Sequence, residues 1–291
     1  MSYEAAGRLY VVATPIGNLG DLSPRACDVL KSCALIAAED TRHTGVLLKH
    51  FGIETPQVSL HDHNEQQRSP ELVARLLTGA SIALVCDAGT PAISDPGFDL
   101  VRTAAAAGIE IIALPGACAA IAALSIGGLP TDRFCFEGFL PARGAARRKR
   151  LDSLTAEART LVMYESPHRV KEMLEDCVLA FGPERSAVVA RELTKLHETA
   201  YRGTLRELAA RAAEDVDFGR GEIVLVIAGK PVAAAAEGGD GHGGALDRAL
   251  RLLMAELPLK QAARLAARLT DARDNEAYKR ALFLKQESAS Q

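Results

Sequence analysis

Charged side chains follow the short apolar runs of this sequence, at the points where buried strands would end. One such run leads directly into Glu39, Asp40, Thr41, Arg42 and His43. Carboxylates beside an imidazole suit proton transfer, and a guanidinium suits the binding of phosphate. Asp40 or Thr41 could instead cap a helix, which would leave Arg42 and His43 without a role. Two further clusters of this kind occupy residues 165–169 and 191–198.

A long loop follows the apolar run at residues 83–86. It contains two glycines and two prolines, Gly89, Pro91, Pro96 and Gly97. The loop has about ten residues, whereas the usual connection between a strand and a helix has about two to six. At the carboxyl end of a strand in an open α/β sheet, the backbone groups of such a loop are free to meet a ligand. The sequence therefore favours a binding loop over a plain connection.

Two histidines, His61 and His63, lie close to Asp62 and Glu65. A pair of imidazoles with acidic neighbours could bind a metal ion, but the spacing provides no third ligand. The sequence also lacks a G-x-G-x-x-G fingerprint, a Walker loop and a Ser-His-Asp arrangement. We therefore predict neither a metal site nor a nicotinamide dinucleotide site.

Five basic residues, with no acidic one among them, lie within eight positions of the second half of the chain. The run could be the solvated face of a helix. In a chain of net charge −3, however, a concentrated basic segment is what attraction to a phosphate backbone requires. The sequence therefore favours contact with RNA or DNA. The five residues are Arg143, Arg147, Arg148, Lys149 and Arg150.

Apolar runs that alternate with amphipathic segments predict an α/β protein with two α/β domains and a small helical domain. Residues 1–115 would form a parallel sheet with helices, and residues 116–230 a second, hairpin-rich α/β domain. Residues 231–244 have the composition of a linker. Residues 245–291 predict three helices of helix-turn-helix size.

Two serine-proline pairs predict helix starts, with serine as the N-cap and proline at the first helical position. They are Ser23-Pro24 and Ser166-Pro167. Small residues from Ala117 to Ala120 predict a helix whose backbone either packs tightly on a sheet or approaches a flat ligand.

Length and composition limit the class of protein. A chain of 291 residues with 48% hydrophobic content can bury a large core. The six cysteines never occur as C-x-x-C, and several lie in apolar runs, so we predict reduced, buried thiols. The most apolar stretch is interrupted by Gly127 and Gly128 and is too short to cross a bilayer. These features predict a cytoplasmic protein.

Taken together, the motifs of this sequence resemble those of a known methyltransferase family. They are V-A-T-P-I-G-N-L-G-D-L-S-P-R-A, A-E-D-T-R-H-T, C-D-A-G-T-P-A-I-S-D-P-G, L-P-G-A-C-A, Y-E-S-P-H-R and R-E-L-T-K-L-H-E. This combination is similar to the ribosomal RNA small subunit methyltransferase I family, the 16S rRNA cytidine-2'-O-methyltransferases on the tetrapyrrole methylase fold. The match spans residues 9–228, and the tail resembles the helical C-terminal domain of that family.

The resemblance implies S-adenosylmethionine in a cleft between two α/β domains, a homodimer, and 16S rRNA or the small ribosomal subunit as partner. It also implies a set of cofactor contacts, most of them in the loop after residue 86. They are Pro15, Ile16, Asp87, Ala88, Gly89, Pro91, Ala92, Ala117, Cys118, Ala119, Tyr164 and Leu193.

Transfer of a methyl group to a ribose hydroxyl needs a group that accepts the hydroxyl proton. Glu165, His168, Glu192 and Lys195 lie in motifs that could supply it, and we predict Lys195 with Glu192. A lysine in that role needs a lowered pKa, from burial or from cationic neighbours. The residues expected to hold RNA are Arg42, Arg143, Arg147, Arg148, Lys149, Arg150 and Arg169.

Two alternatives remain open on the sequence alone. A C-methylase of a tetrapyrrole precursor on the same fold would leave the basic run and the helical tail without a purpose. An RNA-binding factor without enzymatic activity would retain RNA and have no affinity for the cofactor.

Overall fold

The computed structural model describes residues 6–215, 217–231, 243–270 and 272–289. Residues 6–230 belong to one compact unit, and the described residues from 231 onward belong to a second. Most of the predicted linker, residues 232–242, lies outside the described residues.

The first sheet is entirely parallel, with strand order β3-β2-β4-β1-β5. Its four-residue strands β2 and β4 are buried along their whole length, as continuous apolar runs in a parallel sheet require. The strands are β1 Arg8–Val12, β2 Leu35–Ala38, β3 Gln57–Ser59, β4 Ile82–Val85 and β5 Glu110–Leu114.

Helices cover both faces of the first sheet. Apolar residues of α3 and α4 pack on one face, and those of α1 and α2 pack on the other. Ser23 caps α1 through its side chain with Pro24 at the first position, which confirms that predicted helix start. Asp40 caps α2. The helices are α1 Pro24–Ser32, α2 Thr41–His50, α3 Glu65–Leu77 and α4 Phe98–Ala106.

The second sheet is mixed, with strand order β6-β7-β10-β8-β9. Strands β6 and β7 are parallel, and the remaining neighbours are antiparallel. Of the antiparallel pairs in the described part of the chain, only β8 and β9 follow each other along the sequence as a hairpin, so the prediction of a hairpin-rich half is not confirmed. The strands are β6 Phe134–Phe139, β7 Thr160–Glu165, β8 Ser186–Arg191, β9 Thr199–Thr204 and β10 Ile223–Ile227.

One helix covers one face of the second sheet and three cover the other. The alanine-rich α5 packs against β7, β8 and β10, and its cluster includes Ile16 from the loop after β1. This helix therefore joins the two sheets. The helices are α5 Ala119–Gly127, α6 Gly144–Ser153, α7 Val170–Phe181 and α8 Leu205–Glu214.

The helix start predicted at Ser166-Pro167 is wrong. Helix α7 begins at Val170, and residues 167–169 form a turn. The Ser166 hydroxyl accepts a hydrogen bond from Arg169 Nε at 3.1 Å. The serine side chain therefore binds a basic neighbour rather than the free N–H groups at a helix start.

The described residues of the second compact unit form three helices around a small core of their own. Alanines supply most of that core, and Leu246, Leu250 and Leu284 fill the space between the helices. The helices are α9 Gly243–Glu256, α10 Leu259–Thr270 and α11 Asp274–Ala289.

Candidate active site

The loops after β1 and β4 are bound to each other at Thr14. Its backbone N–H donates to the Gly89 carbonyl at 2.8 Å, and the Gly89 N–H donates back to the Thr14 carbonyl at 3.0 Å. The buried Thr14 hydroxyl donates to the Cys86 carbonyl at 3.0 Å. Gly89 has a φ of 95°, a conformation that favours glycine. The two loops therefore form one wall.

The far end of the β4 loop is fixed by a buried carboxylate. Glu65 Oε1 accepts hydrogen bonds from the backbone N–H groups of Gly97, Asp99 and Leu100, at 3.0, 2.6 and 3.2 Å. These N–H groups lie at the start of α4, where no helical carbonyl is available to them. A negative charge at a helix N-terminus is also favourable. Glu65 thus holds the loop where the chain enters α4.

A cavity of about 350 Å³ lies between this wall and the second sheet. Its volume is within the range of small-molecule sites in proteins, and most of its lining is apolar. The first sheet contributes Ile16, Ala88, Gly89, Thr90, Ile93 and Asp95, α5 and its approach contribute Cys118 and Ala119, and the second sheet contributes Phe139, Tyr164, Glu165, Ser166, Pro167, Glu222, Ile223 and Val224.

Tyr164 connects the second sheet to the start of α5. Its hydroxyl accepts a hydrogen bond from the Ala120 N–H at 3.2 Å, and its ring makes edge contacts with Phe136 and Phe139. Burial raises the pKa of this phenol above its usual value, so it stays neutral. Tyr164 is therefore a fixed, uncharged part of the cavity.

The predicted cofactor residues fall into three groups. Six line the cavity, two line a smaller pocket of about 260 Å³ beside it, and four are not among the lining residues of either. Of the last group, the Ala117 carbonyl accepts from the Thr90 hydroxyl at 3.1 Å, and Leu193 packs with Ile16 in the core. The first group is Ile16, Ala88, Gly89, Cys118, Ala119 and Tyr164, the second is Pro15 and Asp87, and the third is Pro91, Ala92, Ala117 and Leu193.

Glu165 is the predicted catalytic candidate that lines the cavity. Its Oε1 accepts from Arg169 Nε at 2.8 Å and from the Ser166 N–H at 2.7 Å. Its Oε2 is buried and has no hydrogen-bond partner among the described residues. Burying a hydrogen-bond acceptor without a partner costs free energy. This oxygen is therefore suited to accept a hydrogen bond from a donor group on a ligand.

Lys195 and Glu192 lie beside the cavity and form an ion-paired group. Lys195 Nζ lies 3.0 Å from Glu192 Oε1 and 3.2 Å from Oε1 of Glu222, which does line the cavity. Partial burial lowers the pKa of Lys195, but the hydrogen bonds and charges of the two carboxylates outweigh that effect and leave the pKa raised. This is opposite to the lowered pKa that a lysine base needs. The lysine stem packs against Gly17 of the β1 loop.

His168 is exposed and does not line the cavity. Arg169 pairs with Glu165, which limits its use as a phosphate ligand. Arg42 pairs with Asp40, yet 89% of its side chain is exposed. Arg42 and Arg169, both predicted to hold RNA, therefore differ, because the Arg42 guanidinium is accessible and that of Arg169 is paired with Glu165.

The basic run on α6 is not one continuous charged surface. Arg147 is buried and pairs with Asp176 at 2.7 Å and with Glu172 at 3.3 Å, so the prediction that it contacts RNA is not supported. Burial follows from its position on the side of α6 that faces α7. Arg148 and Arg150 are exposed and pair with acidic residues, whereas Arg143 and Lys149 are exposed without an ion pair in the described part of the chain.

Sequence reasoning missed two carboxylates of the cavity, Asp95 and Glu222. Burial and the nearby charge of Glu39 raise the pKa of Asp95 to about 6. Asp95 lies in the long loop after β4. An acidic residue that follows a proline-containing turn was the sequence signal that could have identified it. Glu222 directly precedes β10, and its place beside β7 and β8 depends on the antiparallel pairing of that strand.

Among the described residues, no group of three or more His, Cys, Asp or Glu side chains could hold a metal ion. None of the helices in that part of the chain is long and apolar enough to cross a membrane. All six cysteines are free, and Cys33, Cys86 and Cys177 are buried.

Two family descriptions match the sequence. Residues 8–209 match Tetrapyrrole (Corrin/Porphyrin) Methylases, and residues 240–285 match the RsmI C-terminal HTH domain.

Individual proteins give the same result over nearly the full length. The chain is 54% identical over 278 residues to ribosomal RNA small subunit methyltransferase I of Pseudomonas aeruginosa, covering 96% of this chain and 98% of the relative. It is 54% identical over 279 residues to the protein of that name from Escherichia coli O157:H7, covering 96% of each. Among solved structures, uroporphyrin-III C-methyl transferase from Thermus thermophilus, complexed with S-adenosyl homocysteine, superimposes with a TM-score of 0.53 at 17% identity, covering 76% of this chain and 97% of that one. This last likeness concerns the fold.

Proposed function

The chain belongs to the tetrapyrrole methylase family and, within it, to the ribosomal RNA small subunit methyltransferase I family, and from that premise we propose that it transfers a methyl group from S-adenosylmethionine to the 2'-hydroxyl of a cytidine in 16S rRNA. The observation that carries the proposal is the identity of about half of all residues over nearly the whole chain, in both compact units. The cavity provides the place for the chemistry.

The residues of the cavity fit the methyl donor. Its volume of about 350 Å³, its apolar lining and the exposed backbone groups after Gly89 suit a nucleoside with an amino-acid tail. The lining includes Asp95 of the β4 loop and Glu165 and Glu222 of the second sheet, and acidic residues suit a ligand that carries positive charge. When bound, S-adenosylmethionine supplies an electrophilic methyl group on a positively charged sulfur.

We assign the proton acceptor to Glu165. Glu165 is among the residues that line the cavity, and its Oε2 is the oxygen without a hydrogen-bond partner among the described residues. Arg169 and the Ser166 N–H hold Oε1, so the side chain is oriented before substrate arrives. Lys195 stays charged between Glu192 and Glu222 and orients Glu222 at the cavity edge. This assignment replaces the prediction of Lys195 as the base.

RNA would approach over exposed basic side chains. Arg42, Arg143 and Lys149 are accessible for phosphate contacts, which position a strand without reading its sequence. The 2'-hydroxyl itself is the group that distinguishes RNA from DNA. A homodimer in the cytoplasm is part of the same proposal and is tested by light scattering of the purified protein and by cell fractionation.

The test is methyl incorporation from labelled S-adenosylmethionine into free 16S rRNA, assembled 30S particles and a uroporphyrinogen. We expect label in RNA at a nucleotide that resists alkaline cleavage, because a methylated 2'-oxygen cannot attack the adjacent phosphate. Comparison of free RNA with 30S particles identifies the form of the substrate. Label in the tetrapyrrole alone, or RNA retention without any donor binding, would contradict the proposal.

A further inference from the structure

Helix α10 carries a row of basic residues on its exposed side. Lys260, Arg264 and Arg268 lie four residues apart, so the row extends about 12 Å along the helix axis. All three are exposed, and none forms an ion pair with another residue in the described ranges. These three residues, the basic row, therefore present positive charge to a partner.

Packing fixes the opposite side of α10. Four alanines on that side are buried, and three of them belong to the core that α10 shares with α9 and α11. Because the buried residues repeat with the helical period, the other half of the helix is left to solvent. The packed side therefore orients the basic row outward. The alanines are Ala262, Ala263, Ala266 and Ala267.

The basic row differs from the rest of the second compact unit in its balance of charge. Residues 245–291 contain nine Lys or Arg and six Asp or Glu. Helix α10 has three of the basic residues and no acidic one, whereas both other helices contain acidic residues. Arg280 of α11, for example, pairs with Asp247 of α9 at 2.6 Å. Positive charge that the unit does not neutralise is thus concentrated on α10.

A row of cations on a helix without acidic residues is complementary to a phosphate backbone. Leu265 and Leu269 lie on the same side of α10, with 41% and 71% exposure, and offer apolar contact to the sugars between phosphates. We propose that the exposed side of α10 binds the sugar-phosphate backbone of the RNA substrate. This inference rests on the proposed function, and it goes beyond it by assigning an RNA-binding surface to the second compact unit.

This use of α10 differs from the usual docking of a helix-turn-helix. There the recognition helix, which would be α11 here, enters the major groove and contacts bases with its N-terminal residues. The first turn of α11 contains Asp274 and Glu276, which phosphates would repel. The major groove of an RNA helix is also too deep and narrow for side chains to read. Charge therefore favours a contact through α10 that positions RNA without reading its sequence.

The experiment measures binding of the full chain to a fluorescently labelled single-stranded RNA by anisotropy, over a range of salt concentrations. The test variant combines Lys260→Gln, Arg264→Gln and Arg268→Gln, because glutamine removes the charge and is still a good helix former. We expect the Kd to rise about tenfold or more. The slope of log K against log salt should fall by about two, since each lost phosphate contact removes about 0.7.

The matched control combines Arg248→Gln, Arg273→Gln and Lys279→Gln. It removes the same charge from exposed residues of the same unit that lie outside α10. Because salt screens charges that do not contact the RNA, the control should change the Kd by less than about threefold. Calorimetric titration with S-adenosylmethionine should give the wild-type Kd for both variants, which shows that the first compact unit is intact.

A single substitution keeps the inference testable if the triple variant folds poorly. Arg264→Gln, in the middle of the basic row, should lower the slope by about 0.7, whereas Arg264→Lys should keep the slope of the wild type.

Three results would overturn the inference. One is an equal loss of affinity in the control variant, because the net charge of the unit would then hold the RNA. Another is an unchanged Kd in the test variant. The third is unchanged binding to RNA with lost binding to 30S particles, because a ribosomal protein would then be the partner of α10. Wild-type protein that binds RNA through α10 and transfers no methyl group would instead refute the proposed function alone.

Discussion

The two sheets contribute different kinds of groups to the same cavity. The parallel sheet contributes loops, and its contacts are mainly backbone groups held by Thr14 and Glu65. The mixed sheet contributes charged side chains in ion pairs, such as Glu165 with Arg169 and Lys195 with its two carboxylates. The first half therefore contributes mainly backbone groups to the cavity, and the second half contributes paired charges.

Strand direction explains this difference. In the parallel sheet all strands end at one edge, so every loop at that edge leaves a strand and enters a helix. In the mixed sheet an edge holds strand ends and strand starts together, and Ile223 at the start of β10 pairs with Glu165 and Arg191 at the ends of β7 and β8. Charged residues distant in sequence are thereby brought together at the cavity.

The variant with the largest expected effect, Arg147→Ala, tests whether the ion pairs of the second half also stabilise the fold. Arg147→Ala leaves the buried Asp176 without its buried partner, with only the exposed Arg148 nearby, and loss of one member of a buried pair costs about 3–5 kcal/mol of unfolding free energy. Chemical denaturation measures this loss of unfolding free energy. The control is Arg148→Ala, which removes an exposed guanidinium 3.4 Å from the same carboxylate and should cost at most about 1 kcal/mol. Equal effects would show that burial of Arg147 has no energetic importance.

The next effect concerns catalysis. Glu165→Gln keeps the shape of the side chain and removes its ability to accept a proton, so methyl transfer should fall about a hundredfold or more. The Kd for S-adenosylmethionine should stay near that of the wild type. Single-turnover kinetics and calorimetry give the two values.

The comparison variant is Lys195→Ala. Because its ammonium is held charged by two carboxylates, we expect a smaller loss of rate than for Glu165→Gln. A larger loss in Lys195→Ala would return the role of proton acceptor to the lysine.

The variant with the smallest of the three expected effects, Glu65→Ala, tests the wall that the loops after β1 and β4 form. Glu65→Ala leaves three backbone N–H groups without their acceptor and should lower the free energy of unfolding by about 2 kcal/mol. It should also weaken binding of S-adenosylmethionine, because the long loop depends on that carboxylate. Thr204→Ala is the matched change in the second half, since Thr204 caps α8 away from the cavity. It should cost about 1 kcal/mol and leave donor binding unchanged.

Local signals predicted much of the fold. The apolar runs at residues 35–38 and 160–164 correspond to β2 and β7 within one residue, because a buried strand needs a continuous apolar run. Ser23 was identified as a cap from its own type and the proline that follows. The same rule failed at Ser166, where Arg169 takes the hydroxyl and delays the helix.

The site was predicted where backbone position decides it and missed where packing decides it. Ala88, Gly89 and Tyr164, which the family resemblance implied as cofactor contacts, are among the residues that line the cavity. Arg147 belongs to the basic run by sequence, yet it faces α7 and is buried. A run of charges does not indicate which side of a helix the rest of the chain will cover.

The sequence alone determined the order of strands and helices, the long loop after β4 and the family to which the chain belongs. These properties depend on residue types and spacing within short segments, which the sequence contains directly. Tertiary structure decided that Glu222 meets Lys195, that Arg147 is buried and that Asp95 lines the cavity without an ion-pair partner among the described residues. Each of these depends on contacts between segments distant in the chain, and such contacts exist only once both sheets have formed.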